Sequence, residues 1–321
     1  MSGMSERSGD GASLEWPASG IPTDGRGTVV TVGTFDGVHR GHWAVLQEIR
    51  RRAAAADRRA VLVTFHPHPL RVVNPKIAPL LLTTPEEKKE ILAESGLEYA
   101  LFLRFTPELS RLSPERFVED ILVGRLGVKE LVIGYDHGFG RGRSGDVGTL
   151  QALGRKLDFD VDVVGPVAMG DEPVSSSRIR AAVSGSEMDR AREGLGRPYS
   201  LRGMVVRGDG RGRDLGFPTA NLHVGHPTKL LPPEGIYAVR AMLPGGSVDG
   251  ALHLGPRPTF QGSTPTLEVH LIDFDGDLYG AELRIDFVSF LRRIESFLSV
   301  KALIRQMATD VRLARAALAG P

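Results

Sequence analysis

Apolar and polar positions fall along this chain in two textures. Up to about Val164, short β-branched runs alternate with stretches in which apolar residues recur every three to four positions. Thr28–Val32, Ala60–Phe65, Ala100–Phe105, Glu130–Gly134 and Asp160–Val164 have the length and composition of buried strands. The segments between them predict helices. Trp43, Leu46, Ile49 and Ala53 share one helical face. Thr84-Pro85-Glu86-Glu87 supplies an N-cap, a first-turn proline and a box glutamate; Ser113-Pro114-Glu115 repeats that start, and Gly127 ends its helix. This alternation predicts a parallel sheet with helices on both faces, whose ligands lie beyond the carboxyl ends of the strands.

Glu187–Gly196 is polar, helical in pattern, and reads as a connector. Beyond it the helical period is lost, and alternating runs appear at Gly203–Arg207, Ile236–Leu243, Val248–Leu254, Leu267–Ile272 and Leu283–Val288. Pro244-Gly245-Gly246 and Asp275-Gly276-Asp277 mark turns between them. The spacing predicts a small antiparallel barrel or sandwich, with an amphipathic helix from about Ser299 to Leu318 packed on it.

Composition narrows the chemistry. A length of 321 residues favours two domains, and 41% hydrophobic residues is ordinary for a soluble globular protein. A formal net charge of +1 gives no reason to expect nucleic acid or an anionic membrane as partner. The chain has no cysteine, which excludes disulfides, a thiolate nucleophile and Cys-ligated metal. No apolar run approaches membrane-spanning length and no signal-peptide core is present. Residues 1 to 24 are rich in Gly, Ser and Pro and carry Glu6, Asp10 and Glu15, which suits a disordered tail better than a transit peptide. The expected compartment is the cytoplasm, the expected partners are small molecules, and nothing in the sequence supports an oligomer.

Candidate chemistry begins where the first strand ends. Gly33-Thr34-Phe35-Asp36-Gly37-Val38-His39-Arg40-Gly41-His42 is a strand-to-helix turn whose free amides make an anion site, with two imidazoles three residues apart. The spacing differs from the P-loop, and one histidine capping while the other packs fits the pattern equally well. His66 and His68, set between prolines at the next strand's exit, lack a third metal ligand with obvious spacing. Gly140-Arg141-Gly142-Arg143-Ser144-Gly145, with Asp162 further on, matches a dinucleotide fingerprint and raises an NAD(P)-dependent oxidoreductase as a rival; Asp136–Phe139 intervene where that fingerprint wants an immediate turn. Ser175, Ser176 and Ser177 precede Arg178 and Arg180, a capped helix start that could meet phosphate. Gly208–Gly216 is glycine-rich, flanked and interleaved by Arg207, Arg211 and Arg213. Thr219 and Asn221, two apart, offer hard oxygens on one face, which suits Mg²⁺. Glu268 and His270 share the face of their strand opposite the leucines.

Several of these stretches carry a family resemblance. Phe35–His42 resembles the nucleotidyltransferase signature of bacterial bifunctional riboflavin kinase/FAD synthetases, Val174–Arg180 the family's Ile-Ser-Ser-Thr-x-Ile-Arg, and Gly208–Asn221 the riboflavin kinase signature ending Gly-Phe-Pro-Thr-Ala-Asn. Glu268 stands in the family's Glu-Val-His context, and the likeness runs from Thr28 to about Ala317. It implies a Rossmann-like nucleotidyltransferase domain (25–186), a linker (187–198) and a small antiparallel β-barrel riboflavin kinase domain with a C-terminal helix (199–321). It implies that riboflavin is phosphorylated to FMN by ATP, and FMN adenylylated to FAD by a second ATP with release of pyrophosphate. By resemblance His39 and His42 steady the ATP phosphates, with Gly33, Phe35, Asp36, Gly41, Ser176, Ser177, Arg178 and Arg180 around them. In the second site Glu268 is the catalytic base, Thr219 and Asn221 hold Mg²⁺, and Gly208, Gly210, Arg211, Arg213, Gly216 and Pro218 surround nucleotide. His68, Asp136, Phe139 and Arg257 are the implied flavin contacts. The chain departs from the family pattern at His66, at Ser177 (often Thr), at Tyr135–Gly140, at His253 (often Asn) and at Ile294 (often Glu). An inert flavin-binding protein of the same fold is the alternative from another class.

Overall fold

The computed structural model describes residues 21, 24–135, 146–208, 210–243, 245–255 and 266–320, with Arg211 described by its backbone alone. The expectations for the first twenty residues, for the Gly140–Gly145 fingerprint and for Asp136, Phe139 and Arg257 lie outside the described residues. The chain forms two compact units that interleave along the sequence. One gathers the described residues through Phe35 with 41–79 and 89–167; the other gathers 36–40, 80–88 and 168–320.

The first unit is built on a five-stranded parallel sheet. Its strands are β1 (Thr28–Val32), β2 (Arg59–His66), β3 (Tyr99–Arg104), β4 (Val128–Gly134) and β5 (Asp160–Val164), in spatial order β3-β2-β1-β4-β5. The order reverses beside β1, so the crevice past the carboxyl end of β1 is where such a sheet accepts ligands. Helices α1 (Arg40–Ala55), α2 (Pro69–Val73), α3 (Pro85–Ala93), α4 (Pro107–Arg111), α5 (Pro114–Phe117, running into a π-helical stretch Val118–Val123) and α6 (Val147–Leu157) connect the strands. All five residues of β1 are buried, as a strand covered on both faces requires. The expected helix starts are observed. Ser113 Oγ accepts from Arg116 N, and Thr84 and Glu87 cap reciprocally, Thr84 N donating to Glu87 Oε2 at 2.9 Å and Glu87 N to Thr84 Oγ1 at 3.2 Å.

In the second unit a short hairpin, β6 (Ala168–Met169) with β7 (Glu172–Pro173), leads to α7 (Ser176–Ser184) and α8 (Met188–Leu195). Then come β8 (Tyr199–Val206), a single helical turn α9 (Arg211–Asp214), β9 (Ala220–His223), β10 (Gly235–Leu243), β11 (Gly246–Gly255), β12 (Thr266–Leu271), β13 (Glu282–Arg292) and α10 (Val300–Leu318). The six strands β8–β13 close into a barrel in the order β10-β11-β12-β9-β8-β13, so the barrel, rather than the sandwich, is what the alternating pattern builds. On β12 the buried residues Leu267, Val269 and Leu271 alternate with half-buried Glu268 and His270, which places the two polar side chains on the outer surface of the barrel wall. Helix α10 starts at Ser299, whose side chain accepts from Ala302 N at 3.2 Å, and it buries Ala314 and Leu318 against Ala238 and Ile272. The glycine-rich stretch after β8 folds back on itself. Leu215 N donates to Gly212 O and Phe217 N to Gly212 O, closing α9 into a compact corner.

Candidate active sites

On the barrel, strand register assembles the site. Glu268 lies directly opposite Asn221 on β9, and His253 of β11 lies opposite Glu268 on the other side. Directly opposed residues hold their Cβ atoms roughly 4.5–5.5 Å apart and project to one face, so Asn221, Glu268 and His253 form a row. Thr219 lies two residues before Asn221, immediately ahead of β9. The neighbouring backbone presses in closely: a Cβ on Gly208 would come within 2.2 Å of Asn221 Nδ2, and one on Gly212 within 3.1 Å of Thr219 Oγ1. A side chain at 208 would therefore have to displace the Asn221 amide. A hydroxyl and an amide oxygen beside a carboxylate, with glycine backbone close by, suit a hard cation. Among the described residues no group of three or more His, Asp or Glu side chains is placed to hold a metal.

His270 braces this site. Its Nδ1 donates to Pro218 O at 2.8 Å, and its ring meets Phe217 edge-on at 5.4 Å, so it pins the segment that delivers Thr219. Arg213, Gly216 and Pro218 are exposed at the α9 corner, with Gly210 at its start. Burial pushes the His253 imidazole pKa down, opposed by the neighbouring Glu268 charge.

The loop Asp36–Arg40 belongs to the same unit and is held from all sides. Asp36 is buried, and its carboxylate accepts from Leu82 N (3.1 Å), Thr83 N (3.1 Å), Thr83 Oγ1 (3.3 Å) and Arg180 Nη2 (2.6 Å). Ser176 Oγ donates to Asp36 O at 2.9 Å. Arg197 donates to Gly37 O (2.6 Å) and Val38 O (3.0 Å), and Gly37 N donates to Thr83 Oγ1 at 3.1 Å. Gly37 has φ +81°, and a Cβ there would meet Leu82 Cδ1 at 2.8 Å, so a larger residue would be strained. His39, buried, ends this loop at the start of α1.

Several of the residues that the resemblance places around ATP also have a structural part. Asp36 anchors the loop, since its oxygens are taken by protein donors. Arg180 also donates through Nε to Leu80 O at 2.9 Å, so much of its guanidinium shapes the loop. Arg178 is tied to the hairpin through Pro173 O (2.5 Å) and Glu172 (2.8 Å). Ser177 is exposed on the first turn of α7, which Ser175 caps by accepting from Arg178 N.

Within the first unit, Gly33 N donates to Val63 O at 3.0 Å and Thr64 Oγ1 to Thr34 O at 3.0 Å, fixing the exit of β1. Phe35 (φ +48°) stacks on His42 at 4.5 Å, an arrangement that sets the imidazole plane beside Gly41 in the first turn of α1. His68 caps α2, its Nδ1 accepting from Leu70 N at 3.2 Å, which leaves Nε2 as the proton-bearing nitrogen of a neutral ring. Asp162, which the dinucleotide reading needs for ribose, is instead bonded by Arg52, which also reaches Glu130.

Sequence reasoning missed Thr83, Arg197, Lys229 and the bracing role of His270. Lys229 is buried, with Nζ donating to Leu82 O (2.7 Å), Glu87 Oε2 (2.6 Å) and Ser200 O (2.6 Å), and lying 4.7 Å from the Tyr199 ring centre. A lysine beside two leucines was the available signal, since a charged side chain in an apolar run is rarely buried without a partner.

A parallel sheet with histidines at a helix start, joined to a barrel with a carboxylate beside a hydroxyl–amide pair, suits a transferase acting on phosphates. The family model for FAD synthetase matches residues 21–178, and that for riboflavin kinase residues 195–318. The chain is 37% identical over 290 residues to the bifunctional riboflavin kinase/FMN adenylyltransferase of Escherichia coli (strain K12), covering 90% of this chain and 92% of that one. It is 39% identical over 297 residues to the counterpart from Pseudomonas fluorescens, covering 92% and 94%. The chain belongs to the bifunctional riboflavin kinase/FMN adenylyltransferase family. A crystal structure described as a macrolide-efflux protein from Streptococcus pneumoniae shares the architecture, with TM-score 0.83 and 29% identity over 92% of this chain and 95% of that one. No helix among the described residues here is long and apolar enough to cross a membrane.

Proposed function

We infer that this chain makes FAD in two steps, each run by the residues that one site brings together. Riboflavin is phosphorylated to FMN by one ATP, and FMN is adenylylated by a second ATP. In the first step the riboflavin 5′-hydroxyl loses its proton to Glu268 as its oxygen forms a bond to the γ-phosphorus and the bond to ADP breaks. Thr219 and Asn221 hold the metal–nucleotide, while His270 keeps Pro218 and Thr219 in place. Mg²⁺ bound there supplies charge compensation for the transferring phosphoryl group. The single observation that carries this reading is the register that sets Glu268 opposite Asn221.

In the second step an FMN phosphate oxygen bonds to the α-phosphorus and pyrophosphate leaves. A phosphate monoester is already anionic at neutral pH, so positioning and charge stabilisation suffice and no strong base is needed. His39 and His42 serve that end, at the start of α1. We assign adenylyl transfer to residues 25–186, phosphorylation to 199–321 and the junction to 187–198, in keeping with the two matched segments. The cytoplasm, where ATP is abundant, is the proposed compartment.

Incubating the protein with riboflavin, ATP and Mg²⁺ and separating products by chromatography tests the whole reading; FMN followed by FAD is expected. Glu268→Gln should abolish FMN formation while added FMN is still converted to FAD, and His42→Ala should do the reverse. Loss of both activities in either variant would refute separate sites. Tight flavin binding without turnover would favour an inert binder.

A further inference from the structure

The contacts around Lys229 continue to the adenylyl-transfer loop. Lys229 lies in the segment matched by the riboflavin kinase model, whereas 36–40 and 80–88 lie in the segment matched by the FAD synthetase model. All of these residues belong to one compact unit. Lys229 spends its three protons on Leu82 O, Glu87 and Ser200 O, and Lys229 and Glu87 side chains are 1% and 6% exposed. Glu87 accepts in addition from Thr84 N and, through Oε1, from Arg202 N at 3.1 Å. Leu81 pairs with the same stretch, its N donating to Thr228 O at 2.7 Å and its O accepting from Leu230 N at 2.8 Å. Leu82 and Thr83, held in this way, are the residues whose amides grip the Asp36 carboxylate.

We propose that Lys229 and Glu87 are positioning residues for adenylyl transfer, a buried pair on the barrel that sets the Leu80–Lys88 segment and, through Asp36, the loop ending at His39. The kinase part of the chain thus carries part of the support for the other reaction. A buried ion pair is an expensive way to achieve stability, because desolvating two charges offsets most of their attraction and apolar replacements commonly stabilise. What the pair does provide is direction. Three acceptors fixed around one ammonium admit one placement of Leu82 relative to Ser200, and misplacement by about 1 Å of a group that supports a reacting centre costs on the order of a hundredfold in rate. The inference rests on the reading that the His39 loop serves adenylyl transfer.

The test uses the full-length protein with Lys229→Met and with the double change Glu87→Gln/Lys229→Met, which leaves no unpaired buried charge should the single variant fail to fold. The expected result is a fall in kcat for FMN adenylylation of roughly 10- to 100-fold, with kcat and KM for riboflavin phosphorylation unchanged within about twofold. Faster hydrogen exchange is expected at the amides of Gly37, Leu82 and Thr83. A folded double variant that adenylylates FMN at the normal rate, or one in which both activities fall together with thermal stability, overturns the proposal. His39→Ala is the control: if it leaves adenylyl transfer intact, the loop's assignment fails, whereas its loss beside an active double variant sinks the positioning role alone.

Discussion

At the scale of single residues, the barrel site depends on one missing side chain. The atom that a Cβ on Gly208 would strike is the end of the Asn221 amide, which can rotate away. Gly208→Ala should therefore cost about 1 kcal/mol or less in stability while displacing a proposed metal ligand. Riboflavin phosphorylation should fall at least tenfold at low Mg²⁺ and recover partly as Mg²⁺ is raised, with adenylylation of supplied FMN unchanged. A Mg²⁺ titration of FMN formation that overlays the wild type would remove Asn221 from the metal site. Asp36 illustrates the opposite lesson. It stands inside a signature stretch, and its carboxylate accepts from two backbone amides and Arg180, contacts that shape the loop.

At the scale of elements, α10 is attached to the barrel by a two-toothed contact. Arg292 of β13 donates through Nε and Nη2 to Asp310 at 2.8 and 2.7 Å, and Gln306 adds a bond to Asp310 Oδ1 at 2.9 Å. Asp310→Ala leaves Arg292, 16% exposed, without its carboxylate. We expect a loss of about 2–4 kcal/mol in denaturant unfolding, against about 1 kcal/mol for the cap change Ser299→Ala. Equal effects from the two changes would mean that the helix is held by its apolar face alone. The start of α10 was legible because an N-cap is a local matter. Its anchoring was not, because Arg292 and Asp310 meet only once β13 and α10 are packed.

At the scale of the whole molecule, buried lysines should shape the pH dependence of stability. Burial pulls the Lys88 pKa from its ordinary 10.5 down to about 8, although the Asp36 charge works the other way. Burial lowers Lys229 as well, against the pull of Glu87. Between about pH 8 and 10.5 the unfolded chain holds a proton that folded Lys88 has released, so stability rises with pH across that window. Below it Lys88 is a constant penalty. Lys88→Met should raise stability at neutral pH by on the order of 1–3 kcal/mol and flatten the rise. Unfolding free energies that keep the same alkaline slope in the variant would assign that slope to another group.

The five strands of the first half, the alternating β texture of the second, the helix caps at Thr84, Ser113 and Ser299 and the residue types for two phosphate chemistries were legible in the sequence, because period, turn chemistry and signature spacing are properties of neighbouring positions. The structure decided what depends on residues far apart in the chain. It set Glu268 opposite Asn221, turned Asp36 and Arg180 inward on each other, recruited His270 to hold Pro218, and buried Lys229 against Glu87 across 142 positions. A side chain's partner follows from register and burial, and those exist only after the sheet has paired and the barrel has closed.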